Sequence, residues 1–309
     1  MPLRVLRSGT FSCIVHYVRY FKPHLRHLFS LFLGALAAYV VVVWVLVYAE
    51  APRGVLTVAV LDVGQGDAIY IESPTGVQVV VDGGPGSALL RQLPTVMPFF
   101  DRSLDALIET HPDLDHIGGF VDVVGRYSVG AFVEPGIPKD TESATVLEQE
   151  ITDNNIPRYI ARRGMTLDLG GGAYIEVLYP DRDVSRLNQN IANEGCVVMR
   201  LVYREVSMLL TCDMSAEMEG RVLELEGDEL ASDILKVAHH GSKYSSSDAF
   251  VAAVSPAFAA ISVGVNTYGH PAQPTLDTLA AHGVQVLRTD QEGTIVFTSD
   301  GESVWQVEK

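Results

Sequence analysis

The sequence predicts an α+β domain preceded by one membrane-crossing helix. Three observations carry that expectation. Residues 28–48 form an uncharged run of 21 residues. Beyond it, short β-branched runs alternate with helical stretches as far as the C-terminus. No repeat, low-complexity tract or long linker interrupts residues 54–309. The chain has 309 residues, 48% hydrophobic and 19% charged, which is ample for a core and excludes a disordered chain or a small disulfide scaffold.

As a helix, residues 28–48 extend roughly 32 Å at about 1.5 Å per residue, enough to cross a bilayer core. A buried core helix would show a polar face over that length, and this run has none. Arg4, Arg7, Arg19, Lys22 and Arg26 precede the run without an acidic residue, and Glu50 follows it. The positive-inside rule then puts the N-terminus in the cytosol and residues 50–309 outside. A cleaved signal peptide is the rival, because Ala49 is a small residue where cleavage would fall. The apolar run is longer than a usual signal core, so a retained anchor at 28–48 behind a basic leader at 1–27 is expected.

Residues 55–62, 68–73 and 77–82 are β-branched-rich and bounded by Gly, Pro or Asp, and each predicts a strand. A helix near 86–98 and a strand at 104–110 follow. A helix is expected at 117–125, a strand at 130–135 and a helix at 143–155. Short strands are expected at 157–161, 166–169 and 173–179, then a hairpin at 196–212 turning at Arg204-Glu205. The pattern restarts with a helix at 214–226, a strand at 233–240 and a helix at 245–254. A strand at 257–264, a helix at 274–282 and terminal strands in VQVLRT, TIVFTS and SVWQV complete the domain. Two sheets packed face to face with helices outside account for this order, and so does a doubly wound sheet.

The net charge of −16 is uneven, because the leader is basic and the rest is more acidic than the whole. Such a domain does not bind nucleic acid through a broad basic face, so a phosphate-bearing substrate needs local help such as a metal. Of three cysteines, Cys13 lies in the leader, while Cys196 and Cys212 flank the hairpin. The plainer expectation is two small buried residues. The alternative is a disulfide, which an exported domain permits.

The densest chemistry lies in Thr110-His111-Pro112-Asp113-Leu114-Asp115-His116-Ile117-Gly118-Gly119. Four ligand-type side chains fall within six residues, between an expected strand and an expected helix. Imidazole and carboxylate together suit divalent zinc, manganese or iron. His239 and His240 end an expected strand, where neighbours point to opposite faces, so only one should face a site there unless the strand has already ended. His240, next to Gly241-Ser242, is preferred as ligand or proton donor, and His270 on a later loop is the other candidate ligand. Gly241-Ser242-Lys243 and residues 245–247 precede an expected helix. Ser242 and Lys243 are candidates to hold a phosphate there, and plain helix capping explains the segment as well.

The motif H-x-D-x-D-H with Gly-Gly after it resembles the metal motif of the metallo-β-lactamase fold superfamily. Its Asp113, where most members have His, is similar to the variant in the C-terminal hydrolase domain of the ComEC competence-protein family. Other segments agree in order: Leu61-Asp62-Val63-Gly64-Gln65-Gly66-Asp67-Ala68, Val80-Val81-Asp82-Gly83-Gly84, Asn193 with Cys196 at the place of a Ser, Thr211-Cys212-Asp213, Ala238-His239-His240-Gly241-Ser242 and Tyr268-Gly269-His270-Pro271. The match covers roughly residues 55–298.

The resemblance implies a four-layer αββα sandwich and a divalent metal, manganese or zinc. It implies a first ion site at His111, Asp113 and the Asn193 position, and a second at Asp115, His116 and a late histidine (His240 or His270), with Asp213 bridging. The first site has lost imidazoles, so one firmly held ion is expected, and a second that is weak or arrives with substrate. Asp115 would hold the attacking water, and Asp67 and Asp82 would support the ligands from behind.

The leading expectation is thus a membrane-anchored metallohydrolase cutting phosphodiesters, with single-stranded DNA as substrate in a competence or DNA-uptake context. One span cannot form a DNA channel, so a channel partner is implied. The alternatives are a hydrolase of a small ester, lactone or β-lactam, and a non-catalytic metal-binding partner domain.

Overall fold

The computed structural model describes residues 10–50, 54–98 and 100–307. It divides into two compact units, Met1–Ala51 and Pro52–Lys309. Arg4 and Arg7 of the expected leader lie outside the described residues.

The first unit is one helix, α1 (Thr10–Glu50). Within it His27–Leu46 is long and apolar enough to cross a membrane, with a mean hydropathy of 2.4. The described side chains of that stretch are exposed within this unit, Trp44 and Leu31 among them.

The second unit runs β1 (Leu56–Val60), β2 (Ile69–Glu72), β3 (Gln78–Val81), α2 (Ala88–Val96), β4 (Ser103–Leu104), β5 (Ala106–Ile108), α3 (Leu114–Val124), β6 (Ser128–Val129), β7 (Phe132–Glu134), α4 (Glu142–Asp153), β8 (Arg158–Ile160), β9 (Thr166–Gly170), β10 (Ala173–Tyr179), β11 (Val198–Tyr203) and β12 (Val206–Leu210). It continues through α5 (Ala216–Glu226), β13 (Ile234–Lys236), α6 (Asp248–Val254), β14 (Phe258–Ile261), α7 (Gln273–Ala281), β15 (Gln285–Arg288), α8 (Thr289–Glu292), β16 (Ile295–Ser299) and β17 (Val304–Gln306).

There are two main sheets, so the doubly wound alternative is set aside. One orders its strands β17-β16-β1-β2-β3-β5-β7-β8, the other β15-β14-β13-β12-β11-β10-β9. Three apolar layers hold them. Between the sheets, Val58, Ile71 and Ile108 meet Ile175, Met199 and Leu201. On the outer face of the first sheet, Tyr70 and Leu107 pack on Leu89, Phe120 and Ile151 from α2, α3 and α4. On the outer face of the second, Leu209 and Leu235 pack on Val222, Phe250 and Leu279 from α5, α6 and α7. The architecture is the expected α+β, four-layer αββα sandwich.

Two local expectations need correcting. The strand expected over 104–110 is split, because β4 leaves the sheet to pair with β6 while β5 continues it. The strand expected over 233–240 stops at Lys236, because His239 and His240 both take left-handed backbone angles, φ 50° and 53°. The hairpin is as expected, with Tyr203 opposite Val206 and Arg204 at φ 56° in the two-residue turn. Cys196 and Cys212 form a disulfide with Cα atoms 6.3 Å apart, so the plainer expectation for them fails. The register pairs Met199 with Leu210, so the bond lies beyond the ladder, where Cys212 has turned to φ 45°.

Candidate metal centre

The site lies where several strands end on one edge of the sandwich. β3 and β5 are parallel neighbours, as are β12, β13 and β14, so their C-terminal ends gather together. Asp82 follows β3, the His111–His116 segment follows β5, Asp213 follows β12, His239 and His240 follow β13, and His270 lies in the loop after β14.

Asp82 organises the first segment. It is buried and sits at φ 56°, a strained position for a residue with a side chain. Its Oδ1 accepts from the Thr110 backbone N–H at 2.8 Å, and its Oδ2 accepts from the Thr110 hydroxyl at 2.7 Å. Oδ2 also lies 2.8 Å from His116 Nδ1. The hydroxyl proton is used on Asp82, so His111 Nδ1, 3.0 Å from Thr110 Oγ1, must be the donor in that contact. Both rings thereby spend Nδ1 on protein partners and turn Nε2 inward as the nitrogen available to an ion. His240 is set the same way, with Nδ1 donating to the Ser262 carbonyl at 3.0 Å.

Three imidazole nitrogens and one carboxylate oxygen then converge without partners. His111 Nε2, His116 Nε2, His240 Nε2 and Asp213 Oδ1 are all buried and make no hydrogen bond. His116 Nε2 lies 3.5 Å from Asp213 Oδ1, and His240 Nε2 lies 3.5 Å from both Asp115 Oδ2 and Asp213 Oδ2. Ion-sized groupings form from His111, His116 and Asp213, and from Asp115, His116 and His240. Buried polar atoms left unsatisfied are costly, and a divalent cation satisfies all of these at once. The donor set fits such an ion.

Charge agrees with geometry. Burial, with His116 beside it, pushes the His111 pKa down to about 4, so it is a neutral ligand at neutral pH. Burial opposes charge on His240, but Asp213 and Asp67 outweigh it and raise its pKa to about 10. His116 is likewise raised against burial by Asp213 and Asp82. The negative field that draws protons to these rings draws a cation in their place.

Behind the ligands, Asp67 Oδ2 receives Lys236 Nζ at 2.7 Å, and its Oδ1 lies 3.3 Å from His240 Nδ1. Gly66 keeps the backbones close, since a Cβ on it would sit 2.3 Å from the Asp115 carbonyl oxygen. The Cys196–Cys212 bond anchors the residue before Asp213, and the Cys212 carbonyl accepts from the His239 N–H at 3.1 Å.

Some expected members stand apart. Asp113 turns to Lys139, whose Nζ is 2.8 Å from its Oδ1, and its Oδ2 is 3.9 Å from His111 Nε2. Asp113 and His270 join none of the ion-sized groupings among the described residues. His270 packs instead on His239, ring centroids 5.6 Å apart. Asn193 sits half-buried in the 3₁₀ turn Gln189–Gly195, its carbonyl accepting from the Cys196 N–H. Ser242 is buried and its hydroxyl accepts from the Tyr244 N–H at 3.3 Å, while exposed Lys243 lies over the Tyr244 ring. The N–H groups of Ser246 and Ser247 are already taken by the buried Glu219 carboxylate, and the Ser247 side chain makes no cap bond to α6.

Sequence reasoning preferred His240 to His239 and missed two lysines. His239 faces the site beside His240, with Nε2 3.7 Å from Asp213 Oδ2, because the strand has ended before it. Lys236 and Lys139 were not singled out, and only their partners carried motif signals.

The metallo-beta-lactamase superfamily model matches residues 61–265. The chain is 31% identical to ComE operon protein 3 of Bacillus subtilis (strain 168) over 260 residues, 78% of this chain and 32% of that protein. It is 31% identical to competence protein ComA of Neisseria gonorrhoeae over 247 residues, 80% of this chain and 33% of that protein. The chain therefore spans about a third of the length of these relatives. Among solved structures, the metallo-beta-lactamase fold protein YhfI from Bacillus subtilis aligns with a TM-score of 0.53 at 14% identity, covering 79% of this chain and 100% of that one. Igni18, a metallo hydrolase from the archaeon Ignicoccus hospitalis, aligns with a TM-score of 0.50 at 16% identity, covering 78% and 98%. With the fold, the converging ligands and the matched model in agreement, this chain belongs to the metallo-beta-lactamase superfamily, and its hydrolase domain is like that of the ComEC competence proteins.

Proposed function

We propose that residues 50–309 form a divalent-metal phosphodiesterase that cuts single-stranded DNA during DNA uptake, held to the membrane by the helix at 28–48 with its N-terminus in the cytosol. The observation that carries the reading is the convergence of His111, His116 and His240 Nε2 with Asp213 Oδ1, buried and unpartnered. The similarity to competence proteins supports the DNA-uptake setting.

A manganese or zinc ion held by His111, His116, Asp115, Asp213 and His240 would lower the pKa of a coordinated water and polarise the oxygen under attack. Three imidazoles with two carboxylates make a mixed set suited to either ion, one firmly held and a second weaker. Asp115, 39% exposed at its side chain, is the ligand open to solvent and orients the water. His240 is committed as a ligand through the Ser262 carbonyl. His239, 35% exposed and beside Asp213, is better placed to pass a proton to the leaving oxygen. Exposed Lys243, three residues after His240 in the chain, would add a positive charge for the phosphate.

The test uses the full chain in detergent, stripped of metal and refilled with manganese or zinc. Cleavage of labelled single-stranded DNA and of a chromogenic phosphodiester is followed beside Asp115→Ala. Metal-dependent cutting of both that disappears in the variant is expected. Cutting of the small diester alone moves the substrate to small esters, and stoichiometric metal without cutting moves the role to a non-catalytic partner domain.

A further inference from the structure

The loop after β14 carries exposed apolar surface that the metal centre does not use. Val265 is fully exposed and Tyr268 is 75% exposed. The backbone beneath them is nevertheless tightly held. Asn266 Oδ1 accepts from the N–H groups of Tyr268, Gly269 and His270 at 3.1, 3.0 and 3.1 Å. Its Nδ2 donates to the Gly264 and His270 carbonyls at 2.9 and 2.8 Å. At the root of the loop, a Cβ on Gly264 would sit 2.5 Å from the Gly64 carbonyl carbon, so the loop is seated on the segment that leads to Asp67. A backbone fixed in this way holds Tyr268 out in solvent at one place, which lowers the ordering cost of binding something there.

Tyr268 is also the outer end of a row of rings that begins at the ion site. His239 Nε2 lies 3.7 Å from Asp213 Oδ2. The His239 ring meets His270 edge-on, with centroids 5.6 Å apart and planes at 79°. The His270 ring backs Tyr268, with centroids 5.8 Å apart and planes tilted by 32°. A chain molecule whose reacting bond lies beside Asp213 therefore finds Tyr268 two rings away. Charge narrows what that molecule gains there. The whole chain carries −16 although its leader is basic, so a polyanion is not drawn in by a broad positive face. Stacking of a base on a tyrosine face needs no positive charge and accepts any base. Val265 and Tyr268 alone are too small a face for a stable protein interface, which takes about 800 Å² on each partner.

We infer that Tyr268 is a stacking platform for an unpaired base of a strand whose backbone lies at the metal centre, and that it sets a preference for single-stranded over duplex DNA. The inference rests on the phosphodiesterase reading above and names the residue that senses strandedness. A duplex keeps its bases stacked on one another, so only an unpaired base is free to lie on the exposed tyrosine. His270 supports the ring from behind, and its own N–H and carbonyl are both held by Asn266. Tyr244 is exposed as well, but the Lys243 ammonium lies 5.0 Å over its ring, and it joins no row of rings among the described residues.

The experiment first measures binding without turnover. The metal-free full chain in detergent is titrated, by fluorescence anisotropy, against a labelled oligothymidine of about 12 nucleotides, within the usual span of single-strand binders. The same strand with abasic sugars and the matching duplex are the comparators. We expect the native chain to hold the oligothymidine about tenfold more tightly than either, the margin of one stacked base. Tyr268→Ala should remove that margin, and Tyr268→Phe, which keeps the ring, should keep it. The side chain is exposed, so neither change should cost the fold. With manganese restored, Tyr268→Ala should raise KM for single-stranded DNA about tenfold and change cutting of the chromogenic phosphodiester by a clearly smaller factor. Equal losses on both substrates would make Tyr268 a prop for His270 and overturn the inference. A margin that survives Tyr268→Ala overturns it too, as does a native chain that holds all three strands equally or not at all. Base-dependent binding in a chain that cuts no phosphodiester keeps the platform and removes the phosphodiesterase reading. Cutting of DNA that depends neither on bases nor on Tyr268 does the reverse.

Discussion

Lys236 places its ammonium 2.7 Å from Oδ2 of Asp67, across 169 residues of sequence, with both side chains almost wholly buried. Asp67 in turn backs His240, so a buried ion pair stands directly behind a candidate ligand. Breaking one partner strands the other charge. Lys236→Met should destabilise the protein by about 3–5 kcal/mol, read by urea unfolding. Burial opposes the Asp67 charge, but Lys236 and His240 outweigh it and hold its pKa below the ordinary carboxylate range. The sign follows from that depression. The pair's contribution is complete above the unfolded value of about 3.9 and is lost as pH falls toward the lower folded value. Native stability should therefore decline below about pH 4, and the decline should be shallower in Lys236→Met.

Metal binding should release protons. His240 is raised to about 10 and His116 is also raised, so both carry protons at neutral pH before the ion arrives. Apparent metal affinity should rise with pH through neutrality and level off near the His240 value. Calorimetry in buffers of different ionisation enthalpy will count the protons released.

Asp82→Ala should weaken metal binding about 10- to 100-fold without removing a ligand, because it frees the His116 ring and the Thr110 hydroxyl together. Competition with a chromogenic chelator gives the number. Asp82→Asn keeps the shape and should lose less.

The two adjacent histidines should separate in their effects. His240→Ala should lose metal and activity together, since its Nε2 faces Asp115 and Asp213. His239→Ala should keep the metal content and lower kcat, by about 10²- to 10⁴-fold if its proton transfer is rate-limiting. Metal analysis beside steady-state kinetics separates the two.

Opening the Cys196–Cys212 bond should cost about 2–4 kcal/mol, since it closes a loop of 16 residues and secures the chain before Asp213. Thermal unfolding of Cys196→Ser and Cys212→Ser together, compared with the native chain, measures it.

The parts of the site legible in the sequence are those written locally. His111, Asp113, Asp115 and His116 share one short segment, and β-branched runs marked most strands within a residue or two. What escaped depends on distance or on backbone sign. Nothing near Asp113 announces Lys139, 26 residues away, and nothing near Ser246 announces Glu219. The strand reading of 233–240 failed because alternation assumes extended backbone, and two left-handed residues in succession end it. The disulfide escaped because register decides which side chains meet, and the bond lies just outside the ladder.

His239 and His240 occupy backbone angles that a glycine would adopt with ease. Left-handed geometry costs an ordinary residue on the order of 1–2 kcal/mol at each position. Here the fold tolerates that burden at two adjacent places so that two imidazoles can face the ion site. Selection for stability and selection for chemistry therefore pull in opposite directions on this dipeptide. Glycine at either position would relieve that burden and remove an imidazole, so a stabilising substitution there would take away a candidate ligand or proton donor.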